Sequence, residues 1–355
     1  MSLSKDRLNN RLRMIAVAFV ASLTLGTLTA FSQGSARLAE DAPDEYVVQV
    51  GDTLWDIAAT FLKDPWYWPE IWYVNPQVDN PHLIYPGDII NLVYVDGTPQ
   101  LRVQRGKGTY KLSPQARAER LDKAIPTIPI DAIQQFLTQP LVVDQDTLEN
   151  AAYVVSSADE HLIVGAGDRV YVRNLQNDEG DRFHLFRPGD AYTDPHSGEV
   201  LGYEALYLGD GAAEKFGDPS TIKLTRTTRE INIGDRVMPM TQEDVYAYFT
   251  PHAPANSIEG TIISVVDGVS QIGQYQIVVI NRGNREGVDV GSVFEIYQAG
   301  ERIVDQVSKE RNASVKLPDE KAGLLMVFRT FDKVSFALIM KATSALHVGD
   351  HVRAP

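Results

Sequence analysis

The chain contains no cysteine, which excludes disulfide bonds, thiolate catalysis, cysteine zinc sites and the lipid-modified cysteine of a bacterial lipoprotein. It is also short of positive charge: 33 Lys and Arg face 47 Asp and Glu, for a formal net charge of −14. Phosphate binding needs a basic surface, so a nucleic-acid role is not expected. Histidine is sparse and scattered, at positions 82, 161, 184, 196, 252, 347 and 351. No His-Glu-x-x-His occurs, and His347 and His351 flank a Gly-Asp turn on expected strand, where surface histidines far outnumber metal ligands. Gly165-Ala166-Gly167 lies between strands rather than at the start of a helix, which is not the setting of a dinucleotide loop. A carboxylate pair for glycoside hydrolysis is open among so many acidic residues, but no helical lysozyme-like domain is visible to hold one. The chain is therefore read as a non-enzyme with no catalytic residue, no metal site and no cofactor. Past residue 31 no apolar run is long enough to cross a bilayer.

What the chain does have begins at its N-terminus. Lys5, Arg7, Arg11 and Arg13 precede an uncharged apolar run at residues 14–31, and small residues follow at Gly34-Ser35-Ala36. These are the parts of a secretory signal, assigned to residues 1–36 with Ala30 and Ala36 as competing cleavage sites. Retention as an anchor is the rival reading, since 18 residues is near the lower limit for a span. Export to the periplasm is the expected outcome. Residues 95–149 differ from the rest: seven of the 25 residues from 101 to 125 are Lys or Arg, and Pro114, Pro126, Pro129 and Pro140 break the stretch. Short helices are expected at 113–123 and 131–137. Ile125, Ile128, Ile130, Ile133 and Phe136 make this basic connector too apolar for a free linker, so it should dock on something.

From residue 150 the pattern turns to short runs of period two separated by Gly, Asp, Asn and Pro, over modules at 150–241 and 257–355. The two read as copies. Residues 225–237 lie against 340–352 without a gap, and 181–189 pair with 292–300. In both, a Gly-Asp pair (Gly234-Asp235 and Gly349-Asp350) has the chemistry of a tight turn before a closing strand, and Gly167-Asp168 is a third use of it.

The most specific segment is Tyr46-Val47-Val48-Gln49-Val50-Gly51-Asp52-Thr53-Leu54-Trp55-Asp56-Ile57-Ala58. Tyr46, Val48 and Val50 alternate as in a half-buried strand, and Asp52 or Thr53 suits a helix N-cap. Leu54, Ile57, Ala58 and Phe61 then form one apolar helix face. A second short helix can start near Pro69, and Ile89, Ile90 and Leu92 supply a return strand. This strand–helix–helix–strand order, with Val-Gly-Asp-Thr-Leu and the closing Asn80-Pro81-His82-Leu83-Ile84-Tyr85-Pro86-Gly87-Asp88, resembles the LysM fold, here bounded at 44–94. The fold class expected is multidomain: an α+β LysM (βααβ) followed by two predominantly β modules.

The resemblance implies binding of N-acetylglucosamine-containing glycan, peptidoglycan above all, in a shallow groove. On this chain that groove sets Gly51, Asp52, Thr53 and Leu54 opposite Pro81, His82, Leu83, Ile84 and Tyr85. A bulky charged residue at Thr53 or Ile84 is then expected to fill the groove and leave the fold intact. The segment departs from a generic LysM where Trp66, Tyr67, Trp68, Trp72 and Tyr73 crowd together. They are either an enlarged core for a small domain or, for Trp66, Trp68 and Trp72, an exposed platform for a protein partner. With the signal, the aromatic word and the two-part β tail, nearly all of the chain resembles the type IV pilus secretin-associated proteins of Gram-negative bacteria. The last part, through Val278-Val279-Ile280-Asn281-Arg282-Gly283, Val315-Lys316-Leu317-Pro318-Asp319-Glu320 and Gly349-Asp350-His351-Val352, looks like the C-terminal domain of a flagellar assembly protein. The resemblance implies a peptidoglycan- and outer-membrane-associated anchor in the periplasm, tethering the outer-membrane secretin to the wall and repeated as a ring around it. A collar of another envelope machine such as the flagellum, or a LysM-targeted cell-wall hydrolase, are the alternatives.

Overall fold

The computed structural model describes residues 36–72, 84–105, 124–137, 142–158, 164–176, 180–240, 249–266, 271–305, 307 and 313–355. The expected signal at 1–36 (all but its last residue), the helix at 113–123, and Pro81, His82 and Leu83 lie outside them.

The N-terminal module runs β1 (Glu45–Val47), α1 (Leu54–Phe61), a 3-10 turn (Pro65–Tyr67), α2 (Trp68–Trp72) and β2 (Ile89–Val95), and then adds β3 (Thr98–Gln104). The antiparallel sheet has the order β1-β2-β3, with Tyr46 opposite Ile90 and Leu92 opposite Leu101. It therefore extends past residue 94, into the stretch read as connector. The signal passed over is Asp96-Gly97, both left-handed at φ 50° and 80°, as a two-residue hairpin between right-twisted strands requires. Leu101 joins Leu54, Ile57, Phe61 and Ile90 in the module's core. After the undescribed part of the connector come α3 (Ile130–Leu137), which matches the second expected helix, β4 (Val142–Val143) and α4 (Gln145–Asn150).

Two rings of six antiparallel strands follow. The first joins β5 (Ala152–Ser157), β6 (Arg169–Arg173), β7 (Arg182–Thr193), β8 (Val200–Lys215), β9 (Ser220–Thr227) and β10 (Arg236–Pro239) in the order β5-β6-β9-β8-β7-β10, with β10 returning to β5 and β4 added beside β8. The second, a closed barrel, joins β11 (Glu259–Val265), β12 (Ile277–Ile280), β13 (Val293–Gln298), β16 (Glu320–Thr330), β17 (Ser335–Ala342) and β18 (His351–Arg353) as β11-β12-β17-β16-β13-β18. The strand order is the same. The second ring carries a two-stranded hairpin, β14 (Arg302–Val304) with β15 (Ser314–Lys316), between the strands that correspond to β7 and β8.

One turn recurs at matching places. Gly234 and Gly349 have φ of 92° and 101°, a conformation open to glycine at little cost. The Asp that follows accepts a hydrogen bond from the amide three residues back, Asn232 to Asp235 at 2.6 Å and His347 to Asp350 at 2.8 Å. The pair then clamps one strand residue from both sides: Gly234 N–H to Val154 carbonyl and Val154 N–H to Asp235 carbonyl, and likewise Gly349 and Asp350 on Ile262. Gly167-Asp168 clamps Leu224 in the same way, and Tyr275-Gln276 clamps Ile339 at the corresponding position.

Three strands of the second barrel, β12, β16 and β17, are apolar on both faces. Val278, Ile280, Leu325, Val327, Ala337 and Ile339 fill the barrel interior. Their neighbours Ile277, Val279, Leu324, Met326, Phe328, Phe336, Leu338 and Met340 point outward and are also buried. These strands thus correct the expectation of period two, because an alternating pattern belongs to strands with one wet face. The outer face is covered by Trp55 and Trp66 of the N-terminal module, by Ile128, Ile133 and Phe136 of the connector, and by Tyr192 and Leu201 near the β7–β8 tip.

The β7–β8 tip is also held by charge. Asn281 Nδ2 donates to Asp194 Oδ2 at 2.7 Å, and Glu199 pairs with Arg285 and Lys333, each at 2.9 Å. Burial on its own would raise the Asp194 pKa. The Ser197 and His196 amides, Asn281 and Arg282 outweigh it and lower the value from 3.8 to about 2. A folded-state pKa below the unfolded one means stabilisation that is complete above about pH 4 and lost as pH falls through about 2. Asp194→Ala leaves Asn281 without this acceptor and is expected to cost about 1–3 kcal/mol at pH 7 in denaturant unfolding. The gap from wild type should narrow as pH falls from about 4 through about 2; a gap of the same size throughout would contradict the assignment.

Candidate functional site

The site is built from two loops that the backbone ties together. In the first, Gly51 is left-handed at φ 99°, the Gln49 amide donates to Asp52 Oδ2 at 2.8 Å, and the Tyr46 hydroxyl donates to the same oxygen at 3.0 Å. Thr53 then caps α1 reciprocally. Its Oγ1 accepts from the Asp56 amide at 3.1 Å, and Asp56 Oδ2 accepts from the Thr53 amide at 3.2 Å and from its hydroxyl at 2.7 Å. The second loop repeats the Gly-Asp turn, with Gly87 at φ 92° and the Tyr85 amide donating to Asp88 Oδ2 at 3.1 Å. Gly87 and Asp88 clamp Val48 between them, so the loops are held side by side.

The LysM domain family matches residues 46–93. Residues 46–93 are a LysM domain. A separate comparison finds 36% identity over 66 residues with an uncharacterized protein, YqbP, of Bacillus subtilis (strain 168). That stretch is 16% of this chain and 30% of the Bacillus protein. The chain thus spans less than a third of that relative. LysM domains bind N-acetylglucosamine glycans of the peptidoglycan type, which makes carbohydrate the ligand class of this module.

Within the LysM domain the sequence-assigned residues fare differently. Gly51 is exposed, Asp52 and Tyr85 are half-buried, and Thr53, Leu54 and Ile84 are 4%, 3% and 0% exposed. Pro81, His82 and Leu83, as said, fall outside the described residues. The expectation that Thr53 or Ile84 accepts a bulky charge without harm to the fold is therefore corrected, because one is the cap of α1 and the other is core. Trp66, Trp68 and Trp72 are also buried, at 7%, 3% and 5% exposure, so they form no exposed platform here. Trp68 and Trp72 meet edge to face at 6.3 Å within the domain's own core, whereas Trp66 lies with Trp55 against the second barrel.

Three neighbours of the site were not assigned from sequence. Arg105, just past β3, sits over the Tyr85 ring at 5.3 Å and pairs with Asp88 at 2.5 Å. The Tyr275 hydroxyl reaches from the second barrel to Asp56 Oδ1 at 3.1 Å. Burial, and then the Asp56 charge, push the Tyr275 pKa up to about 12, in keeping with a neutral hydroxyl that donates to the Asp56 carboxylate. The third is connector backbone. Ile125 N–H donates to Ile84 carbonyl at 2.8 Å, Leu54 N–H to Pro126 carbonyl at 2.9 Å, and Trp55 N–H to Thr127 carbonyl at 3.1 Å. The basic composition flagged Arg105 and the apolar residues flagged Ile125; nothing in the sequence pointed to Tyr275.

Among the described residues no group of three or more His, Asp or Glu could hold a metal ion. The site is made of backbone amides and carbonyls, the aspartates Asp52, Asp56 and Asp88, which hold its turns and cap, and an aromatic ring at Tyr85, which suits a neutral sugar held by hydrogen bonds and an apolar wall. Thr53→Ala should lower stability by about 1 kcal/mol through loss of the cap. Ile84→Asp should cost more than about 3 kcal/mol, because an unpaired carboxylate enters the core. Chemical denaturation separates the two, and Ile84→Asp as stable as wild type would contradict the burial.

Proposed function

We propose that the chain is a non-catalytic wall anchor: its LysM domain holds peptidoglycan glycan, and its two β rings hold an envelope protein, the outer-membrane secretin of a type IV pilus. The observation that carries this reading is the LysM domain at 46–93 packed by Trp55 and Trp66 onto the outer face of the second barrel. Wall contact and the β tail then form one mechanical unit, which is what an anchor must be to transmit load. The basic start, apolar run and small residues within 1–36 support export to the periplasm, where both glycan and secretin are met. Glycan contacts are assigned to Gly51, Asp52, Thr53 and Leu54 on one side and to residues 81–85 on the other. The β tail supplies the protein-binding surface. Several copies around a ring-shaped secretin would multiply one shallow glycan site into firm attachment, since each further engagement is intramolecular.

The test is the fate of the secretin. In cells lacking this chain, the share of secretin multimers that remains with sacculi after detergent extraction should fall severalfold and return on complementation. Secretin that stays wall-associated, with normal pilus extrusion, would rule out the anchor reading.

A further inference from the structure

We infer that residues 125–128 are a strap that closes the LysM groove, so that glycan enters only when the strap is displaced. This rests on the glycan reading above. The loops assigned to the sugar should leave the first turn of α1 and the Ile84 backbone open to a ligand. Instead the chain's own backbone lies there. Ile125 donates its amide to Ile84 carbonyl, and the Pro126 and Thr127 carbonyls accept from the Leu54 and Trp55 amides, at 2.8, 2.9 and 3.1 Å. With the Asp56 amide already on Thr53 Oγ1, all three leading amides of α1 are occupied. The chemistry is that of the ligand: an N-acetyl group is a secondary amide, one N–H donor beside one carbonyl acceptor, and the strap presents peptide groups in its place.

The strap is firmly seated. Thr127 and Ile128 are both 0% exposed. Its first residue, Ile125, belongs to the LysM core, whereas Ile128 packs with Trp55, Trp66 and the outer face of the second barrel. Beyond it, α3 sets Ile133 and Phe136 on that face, and Arg329 Nη1 donates to the Phe136 carbonyl at 2.9 Å. One end of the strap is thus fixed to the glycan module and the other to the barrel assigned to the protein partner. A ligand that needs the strap out binds with an affinity reduced by the fraction of molecules in which it is out. Anything that shifts α3 on the barrel shifts that fraction.

Titration calorimetry of the full chain with chitohexaose tests this. Ile128→Asp places a carboxylate in the buried cluster and should expel the strap; the milder Ile128→Gly removes its anchor. Either variant, folded by circular dichroism, should bind at least tenfold more tightly than wild type. In wild type, saturating chitohexaose should speed exchange of the Ile125 amide at least tenfold while the Leu54 amide stays protected. A folded variant with the wild-type Kd, or an Ile125 amide equally protected with sugar bound, overturns the strap and leaves glycan binding standing. If wild type and folded variants all fail to bind, the glycan reading itself falls, and the strap with it.

Discussion

The arrangement depends on the outer face of the second barrel. Strands β12, β16 and β17 are apolar on both sides, so a barrel left alone would show water a continuous patch from Ile277 and Val279 through Met326 and Phe328 to Phe336 and Met340. Exposed apolar area of that extent is costly, at about 25 cal/mol per Å². Three separate parts of the chain cover it: tryptophans of the LysM domain, α3 with the strap before it, and the β7–β8 tip. This one burial explains why a small glycan module and its connector are packed on the β tail rather than tethered to it.

The same constraint gives the aromatic crowd its sense. The tryptophans form no exposed platform for a partner; all four are buried, in two different places. Trp68 and Trp72 belong to the LysM core, while Trp55 and Trp66 make an interface within the chain. Polar groups then fix the register of the docking. Tyr275 on Asp56 and Asn281 on Asp194 are directional bonds in places where apolar packing alone would tolerate sliding.

Much of the fold was legible because local chemistry dictated it. Tyr46, Val48, the Gly51-Asp52 turn and the Leu54–Ile57–Phe61 face mark the LysM order, and Gly234-Asp235 against Gly349-Asp350 marks corresponding turns of two rings with one strand order. What stayed hidden was non-local. Ile277-Val278-Val279-Ile280 is a continuous apolar run, the mark of a strand buried on both faces, but it was read as alternating. The strap bonds join residue 125 to 84 and residues 126 and 127 to 54 and 55 through backbone atoms, which carry no residue-type signal. The left-handed Tyr275 at the place where the first ring has Gly167 could not be guessed from composition either.

The claim that most needs testing is that this chain grips the wall through its LysM domain. Co-sedimentation of the full chain with purified sacculi, in wild-type and strap-opened forms, addresses it directly. The account predicts that both forms pellet, the opened form at lower sacculus concentration, and that chito-oligosaccharide returns both to the supernatant. Folded protein that stays in the supernatant in either form, or pelleting indifferent to chito-oligosaccharide, would contradict it.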